Sequence, residues 1–382
     1  MITKQTPYLL AFSSPDLTQK SEIEELSLNS NVRESMSRLP SFVQPLLTWI
    51  TGRAAKGQKR STHTPYYHLA TSLLSLISGW FLIYIGEMFL TFIGMILVTG
   101  AMRKLQIVIV HHCSHSNFFT RKSKGNGILG NIISFTLFIE PFKSYKKSHS
   151  LDHHFGKHMT KDDPTVSFLF DRCKLVPGMS VEESKIQLLK SLLSPSYYLE
   201  GVIGRLKEQK KMSLAGQIAI TLFWALLVIG ACIAGKISFF FYAWIMPLFI
   251  LYPISSALRL SVEHTFPETQ EGRKFDLESL SVLTNAVFCG EEYPQNPNLI
   301  NVTTWSFKML FIHLPVRVFI LVGDTPVHDH HHRHPVYRDW PNYAFARLSA
   351  LDTEKGKHDY REVWGYFNAL NHSLKSLNLA KY

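Results

Sequence analysis

Four stretches of this 382-residue chain are almost free of charged side chains, and they constrain its fold more than any other feature. A helix that crosses a bilayer needs about 20 consecutive apolar residues. The stretches pair into two hairpins, because only Gly86 and Glu87 separate the first two and only Gly235 and Lys236 separate the last two. Backbone groups inside a bilayer must be hydrogen-bonded within the chain, which favours helices. The sequence therefore predicts an all-α integral membrane bundle of four spanning helices, at residues 69–85, 88–102, 214–234 and 237–258.

Lysine and arginine outnumber aspartate and glutamate by 40 to 29, which gives a net charge of +11. Such an excess suits anionic lipid, nucleic acid or an acidic protein. No basic run is interleaved with aromatic residues, so nucleic-acid binding is not predicted and membrane lipids are the expected partner. Basic residues precede the first and third spans, which by the positive-inside rule predicts cytosolic termini, in a bacterial inner membrane or an endoplasmic reticulum. These residues are Arg53, Lys56, Lys59, Arg60, Lys207, Lys210 and Lys211.

The polar segments around the spans divide the chain into three predicted parts. Residues 127–141 are apolar but too short for a span, so we interpret them as re-entrant or interfacial. Residues 41–50 suit either a short amphipathic segment at the membrane surface or a loosely ordered arm. The three parts are a polar N-terminal cytosolic arm (1–60), a membrane domain with a cytosolic helical cap (61–340) and a C-terminal cytosolic extension (341–382).

Three histidine clusters all fall on the predicted cytosolic side, at residues 111–115, 149–154 and 328–332. His111 and His115 are four residues apart, which on a helix places both imidazoles on one face. His149 and His153 repeat this spacing, and the adjacent His154 points off that face, so this cluster can address two metal ions. Imidazole suits zinc, copper, iron and nickel alike. One zinc site uses three or four protein ligands, so eight clustered histidines favour two metals and iron–oxygen chemistry.

These residues resemble the motifs of the membrane fatty acid desaturase and hydroxylase superfamily, which carries three histidine boxes beside paired transmembrane helices. The first two boxes, His-x(3 or 4)-His and His-x(2 or 3)-His-His, resemble the clusters at 111–115 and 149–154. The third, His-x-x-His-His-x-x-Pro, matches residues 328–335, and a further motif, Arg-x-x-x-Glu-His, matches residues 259–264. The resemblance covers about residues 65–335. It implies nine metal ligands that form the catalytic site: His111, His115, His149, His153, His154, His264, His328, His331 and His332.

The resemblance also implies an activity. A non-haem centre of two iron ions would use O2 to oxidise a lipid or fatty acyl chain, with desaturation to a C=C bond as the leading expectation. Electrons would come from a ferredoxin or a cytochrome b5-type donor with its reductase, since no haem or flavin domain is recognisable in the chain. Hydroxylation, ketolation and oxidative decarboxylation to a terminal alkene stay open. A membrane metal-binding or transport protein is the more distant alternative, because the spans carry few charged residues to form a path.

The chain departs from the pattern of this superfamily at two positions. His112 stands where many relatives have aspartate, and Leu260 stands where acyl-CoA desaturases place an asparagine one helical turn before the additional histidine. An acyl-CoA desaturase is therefore less expected than a more distant branch. Side chains expected to support the ligands from behind are His112, Asp152, Arg259, Glu263 and Asp329, whereas His158, His330 and His334 are expected outside the ligand set.

Overall fold

The structure is a computed structural model that describes residues 31–353 and 360–382. The described residues are almost entirely helical, and four of the helices are long and apolar enough to cross a membrane, which confirms the predicted all-α membrane bundle. The second and fourth helices run further than predicted, because each continues beyond its apolar stretch into a histidine motif. The four are Pro65–Ile85, Met88–Ser114, Leu214–Ile233 and Ile237–Glu263.

The first two spanning helices pack closely through glycine. A Cβ atom added to Gly79 would lie 2.8 Å from the carbonyl oxygen of Gly94, and one added to Gly94 would lie 2.7 Å from the carbonyl oxygen of Gly79. Apolar surface gives no driving force between helices in lipid, so association depends on such close backbone contact. The third helix is different, because Ile220 is its single buried residue and most of its remaining side chains are exposed.

Wide π-helical turns occur in both long spanning helices. Leu105–Val110 is a π-helix directly before the first histidine box, and Phe241–Leu251 is another around Pro247, which has no N–H to donate. Such turns form i→i+5 hydrogen bonds and are frequent at functional sites. They change which side chains share a helix face.

The remaining described elements lie beyond the spans. The predicted interfacial segment at 127–141 contains one helix, on which Ile128 and Ile132 are exposed. Two short strands, β1 (Ala286–Phe288) and β2 (Glu362–Trp364), pair in parallel. The α-helices are Val32–Ser35, Gln44–Thr51, Gly125–Thr136, Phe142–Lys147, Pro164–Ser167, Val181–Leu193, Pro195–Gln209, Leu277–Val282, Leu299–Lys308, His328–Arg333, Tyr343–Thr353 and Tyr366–Leu379. Further π-helices are Ser148–Gly156, Phe168–Arg172, Met309–His313 and Val316–Ile320, and 3-10 turns are Met36–Arg38, Ser41–Val43, Thr325–Val327 and Trp340–Asn342.

A bent helix pair that the sequence analysis missed carries the third histidine box. Leu299–Ile320 is apolar and is followed, at an angle of 82°, by Thr325–Arg333. Gly323 lies in the break with a positive φ of 62°, and a Cβ atom there would lie 2.2 Å from the Val108 side chain. The bend therefore brings the third box against the second spanning helix.

Buried ion pairs join the segments on either side of the membrane domain to each other and to the third histidine box. Arg53, counted above as a membrane flank, is buried and pairs with Glu34 at 3.2 Å and with Glu362 at 2.9 Å. Arg347 joins Glu362 at 2.7 Å and Asp329, in the third histidine box, at 2.9 Å. Residues 1–30 lie outside the described residues. The division of the chain into an arm, a domain and an extension stays a prediction.

Candidate metal centre

Five imidazoles form the first of three groups in which one atom per residue lies within 4.8 Å of every other. His111 lies in the second spanning helix and His331 in the third box, and their Nε2 atoms are 2.7 Å apart. The Nε2 atom of His154 lies 3.1 Å from that of His149 and 3.2 Å from that of His331. We call this set the open group, because His115 and His149 are only partly buried: His111, His115, His149, His154 and His331.

Four buried imidazoles form the second set, which we call the enclosed group: His153, His158, His264 and His332. Their six pairwise ring-centroid distances all fall between 5.0 and 5.2 Å. Four ring centres at nearly equal distances from one another lie at the corners of a regular tetrahedron. Imidazoles bonded to one tetrahedral ion at about 2.0–2.1 Å would have ring centres separated by about 5.2 Å. The group therefore has the dimensions of a four-nitrogen metal site.

A third set lies beside the enclosed group and adds a carboxylate. His328 Nε2 lies 3.3 Å from His264 Nε2 and 3.9 Å from a carboxylate oxygen of Glu263. Arg259 donates to both Glu263 oxygens, at 2.6 and 2.7 Å. Arg259 and Glu263, both expected to support the ligands, thus form an ion pair beside the metal centre, and Glu263 is itself a candidate ligand with His264 and His328.

The π-helix Ser148–Gly156 explains how one histidine box contributes to both groups. Because its bonds run i→i+5, residues five apart lie on the same face. His149 and His154 accordingly meet in the open group, while His153 turns toward the enclosed group. His158, five residues after His153, joins it there.

A buried carboxylate orients His153. Its Nδ1 lies 3.0 and 3.1 Å from the two oxygens of Asp163, which also accept from the backbone N–H of Met159 and Thr165. Burial alone would raise the pKa of Asp163, but His153 and these donors outweigh it and the pKa is lowered. A carboxylate behind a ligand fixes its tautomer and leaves the other ring nitrogen for a metal. Asp152, named for this role from the sequence, instead lies 3.7 Å from Lys157.

The other residues expected to support the ligands have different partners. The Nε2–H of His112 donates to a carboxylate oxygen of Asp324 at 2.7 Å, and its ring stacks on Trp340 with centroids 3.8 Å apart. Asp329 accepts from Arg347 and from the backbone N–H of His330 at 2.7 Å. The rings of His330 and His334 pack against each other at a tilt, with centroids 4.8 Å apart, and neither belongs to any of the three groups. The acid behind the first box is therefore Asp324, more than 200 residues away in sequence.

The electrostatics of the centre favour neutral imidazoles. Burial, followed by repulsion between the rings, lowers the pKa well below its usual value at His115, His149, His154, His158, His328, His331 and His332. A neutral imidazole has a lone pair, which is the form that binds metal. Ring nitrogens of His115, His158 and His332 are buried without a hydrogen-bond partner. Unpaired buried nitrogens that converge in this way fit metal ions as their missing partners.

A cavity of about 490 Å³ borders the open group. Five histidines from the three groups reach its wall: His111, His149, His153, His328 and His331. Apolar side chains such as Ile107, Ile139 and Phe168 share the wall with four arginines. Ligand sites in proteins are typically concave, largely apolar spaces of about 300–1,000 Å³ with a few polar groups. The cavity is therefore a candidate substrate site.

The structure thus combines a helical membrane bundle with clustered histidines that could hold metal ions beside a cavity. The fatty acid desaturase profile matches residues 87–366, which is more than half of the chain. The chain belongs to the fatty acid desaturase family, and it is a desaturase- or hydroxylase-type membrane oxidoreductase. No curated protein matches it significantly.

Proposed function

We propose that this protein is an O2-dependent, non-haem di-iron fatty acid desaturase that introduces a C=C bond into a lipid chain. The observation that carries the proposal is the pairing of two imidazole groups with a cavity at their border. Two bound iron ions would supply the oxidising power that removes hydrogen from an unactivated carbon. The nine sequence-predicted histidines and His158 are the proposed ligands.

The side chains around the ligands hold them in position and keep water away. His111 donates its Nδ1 proton to the carbonyl oxygen of Ile107 at 3.0 Å, which leaves Nε2 for the metal. The carboxylate of Asp163 likewise accepts from Nδ1 of His153 and leaves its Nε2 for the metal. Such restraint matters because the outcome of the reaction depends on which carbon faces the oxidant, and small displacements are costly. Removal of a second hydrogen gives the alkene, whereas return of oxygen gives the alcohol.

The reaction requires electrons and an orientation in the membrane. We propose that the metal centre and both termini face the cytosol, and that a ferredoxin or a cytochrome b5-type protein with its reductase delivers the electrons. The net charge of +11 supports this proposal, since electron carriers of these kinds are commonly acidic and complementary charge speeds encounter.

The test is mass spectrometry of lipids and free fatty acids from a host that expresses the protein. His153→Ala and His331→Ala each remove a ligand from one group, so product should vanish while the protein stays in the membrane. His372→Gln is the control, because His372 lies in the C-terminal helix Tyr366–Leu379, outside the three groups, and should leave the product unchanged.

The mass of the product separates the alternatives. A species two hydrogens lighter supports desaturation. A species heavier by one oxygen would replace the proposal with hydroxylation, a ketone would replace it with ketolation, and a hydrocarbon one carbon shorter would replace it with decarboxylation. Equal product from the wild type and from His153→Ala would overturn the assignment of the site. Zinc or copper in place of iron in the purified protein would favour a metal carrier.

A further inference from the structure

We propose that Arg103 and Arg205 form a subsite for the free carboxylate of a fatty acid, at the end of the cavity that borders the metal centre. This inference rests on the proposed function and names its substrate class: a single-chain free acid. Two arginines on the cavity wall have no acidic partner within the described residues, and they are the basis of the proposal.

Arg103 is a buried cation without an acidic partner. Its residue is 2% exposed, and it lies near the end of the second spanning helix. Only Nη1 is satisfied, by Ser256 Oγ at 2.8 Å and Gln106 Oε1 at 3.3 Å, whereas Nε and Nη2 are buried with no hydrogen-bond partner. An uncompensated buried charge costs several kcal/mol, so its retention indicates a missing anion.

Arg205 approaches the same place from the helix Pro195–Gln209. The guanidinium of Arg205 lies 5.1 Å from the ring centre of Tyr252, and that of Arg103 lies 4.7 Å from the same ring. Nη1 of Arg205 is buried without a hydrogen-bond partner. Burial lowers the pKa of Arg205 to about 10, which still leaves it charged near neutral pH. One aromatic ring therefore connects two unpaired cations on the cavity wall.

Three other charged residues on the wall have partners of their own. Arg259 is neutralised by Glu263, and Arg172 donates to the carbonyl oxygen of Tyr197 at 3.0 and 3.2 Å. Glu208 pairs with Lys211 at 2.6 Å. Among the described residues, no salt bridge within 4.0 Å joins Arg103 or Arg205 to a carboxylate. These two arginines thus define where an anion from outside the chain is favoured.

A singly charged carboxylate fits this place better than a phosphate. Glu140 and Glu208 also line the cavity, and burial together with Glu208 raises the pKa of Glu140 to about 7. A dianionic head would therefore face two acidic side chains. Carboxylate and guanidinium also match geometrically, since two parallel N–H donors meet two oxygens.

The position of the subsite also determines where the chain is oxidised. Arg103 and His111 are eight residues apart on one continuous helix, or at most about 12 Å along its axis, because the π-helix Leu105–Val110 between them shortens the rise per residue. A fatty acid held by its carboxylate at Arg103 thus presents the carboxyl-proximal half of its chain to the histidines. The position of oxidation should therefore be set by its distance from the carboxyl end of the chain.

The test is equilibrium binding of tritiated palmitate to the purified, metal-loaded protein, in competition with methyl palmitate and palmitoyl lysophosphatidic acid. Palmitate should bind at least tenfold more tightly than its methyl ester, since the loss of a charged hydrogen bond costs about 1.5–3 kcal/mol. Arg205→Gln and Arg103→Gln should each remove that preference. Lys207→Gln is the matched control, because it removes an exposed charge from the same helix, and it should bind palmitate like the wild type.

Two results would overturn the subsite. One is equal binding of palmitate and methyl palmitate by the wild type, and the other is preferential binding of the lysophosphatidic acid. A third contradicting result would be that both arginine variants keep the full preference for palmitate over its methyl ester. Palmitate binding is also measured in His153→Ala, which should keep the preference for the acid. Product formation without acid preference contradicts the subsite alone, and acid preference without any oxidised product contradicts the proposed function alone.

Discussion

The open and enclosed histidine groups lie side by side but have different surroundings. Three of the five open-group histidines line the cavity, namely His111, His149 and His331, whereas His153 alone does so from the enclosed group. The enclosed group is regular and fully buried. The open group has uneven nitrogen separations and two partly exposed members. Metal sites that react keep an accessible position, while sites whose ligands close around the ion are structural or tuning sites. We therefore expect oxygen and substrate to arrive at the open group.

The largest effect should come from breaking the tetrahedron of the enclosed group. His158→Ala removes one of its four corners, so we expect metal affinity at this group to fall by about 100-fold or more and turnover to fall with it, more than for loss of a supporting residue. The measurement is iron bound per chain after dialysis, together with product formation.

His330→Ala is the control for this change. His330 is also a buried histidine outside the expected ligand set, but its ring packs at a tilt against His334 and edge-on against Tyr337 and belongs to no metal group. It should keep its iron. Full iron content in His158→Ala would mean that the fourth corner is not a ligand and that His328 completes the site.

A smaller effect should separate the carboxylates behind the two groups. Asp163→Asn removes the acceptor of the ligand His153, which typically reduces metal affinity or activity by about 10–100-fold. Asp324→Asn removes the acceptor of His112, which is outside the ligand groups, so its iron content should change little. Metal titration of both variants measures the difference. Equal losses would show that His112 supports the open group as directly as Asp163 supports the enclosed one.

The smallest effect concerns the pH dependence of stability on the cavity side. Because the folded-state pKa of Glu140 is raised to about 7, its contribution to stability is complete below the unfolded value of 4.5 and is lost as the pH rises through 7. Glu140→Gln should flatten this part of the stability profile, by about 2 °C in Tm. Thermal unfolding in detergent between these pH values checks it. An unchanged slope would show that Glu140 ionises freely in the folded protein.

The sequence predicted the spanning helices well, because bilayer thickness imposes their length and composition. The same rule failed for Leu299–Ile320. This helix is interrupted by Pro315 and carries Arg317, which is buried and donates to the backbone carbonyl of Trp49 at 2.8 Å. The burial of Arg317 depends on a segment distant in sequence, so no local sequence pattern predicts it.

The histidine motifs predicted which residues approach each other, but not how they divide. An α-helical repeat places His149 and His153 on one face, whereas the π-helix separates them into different groups and brings in His158. The same widening turns Asp152 away and leaves the supporting role to Asp163. Arg103 and Arg205 belong to no sequence motif, and only the structure shows that both contact the ring of Tyr252.

The contact between His111 and His331 has a consequence for biosynthesis. The open group needs residues from the second spanning helix and from the third box, and the enclosed group needs His332. A nascent chain therefore has neither site until residue 332 has left the ribosome. Metal loading must follow the insertion of all four spans, and a chain truncated before that point would be a membrane protein without a metal centre.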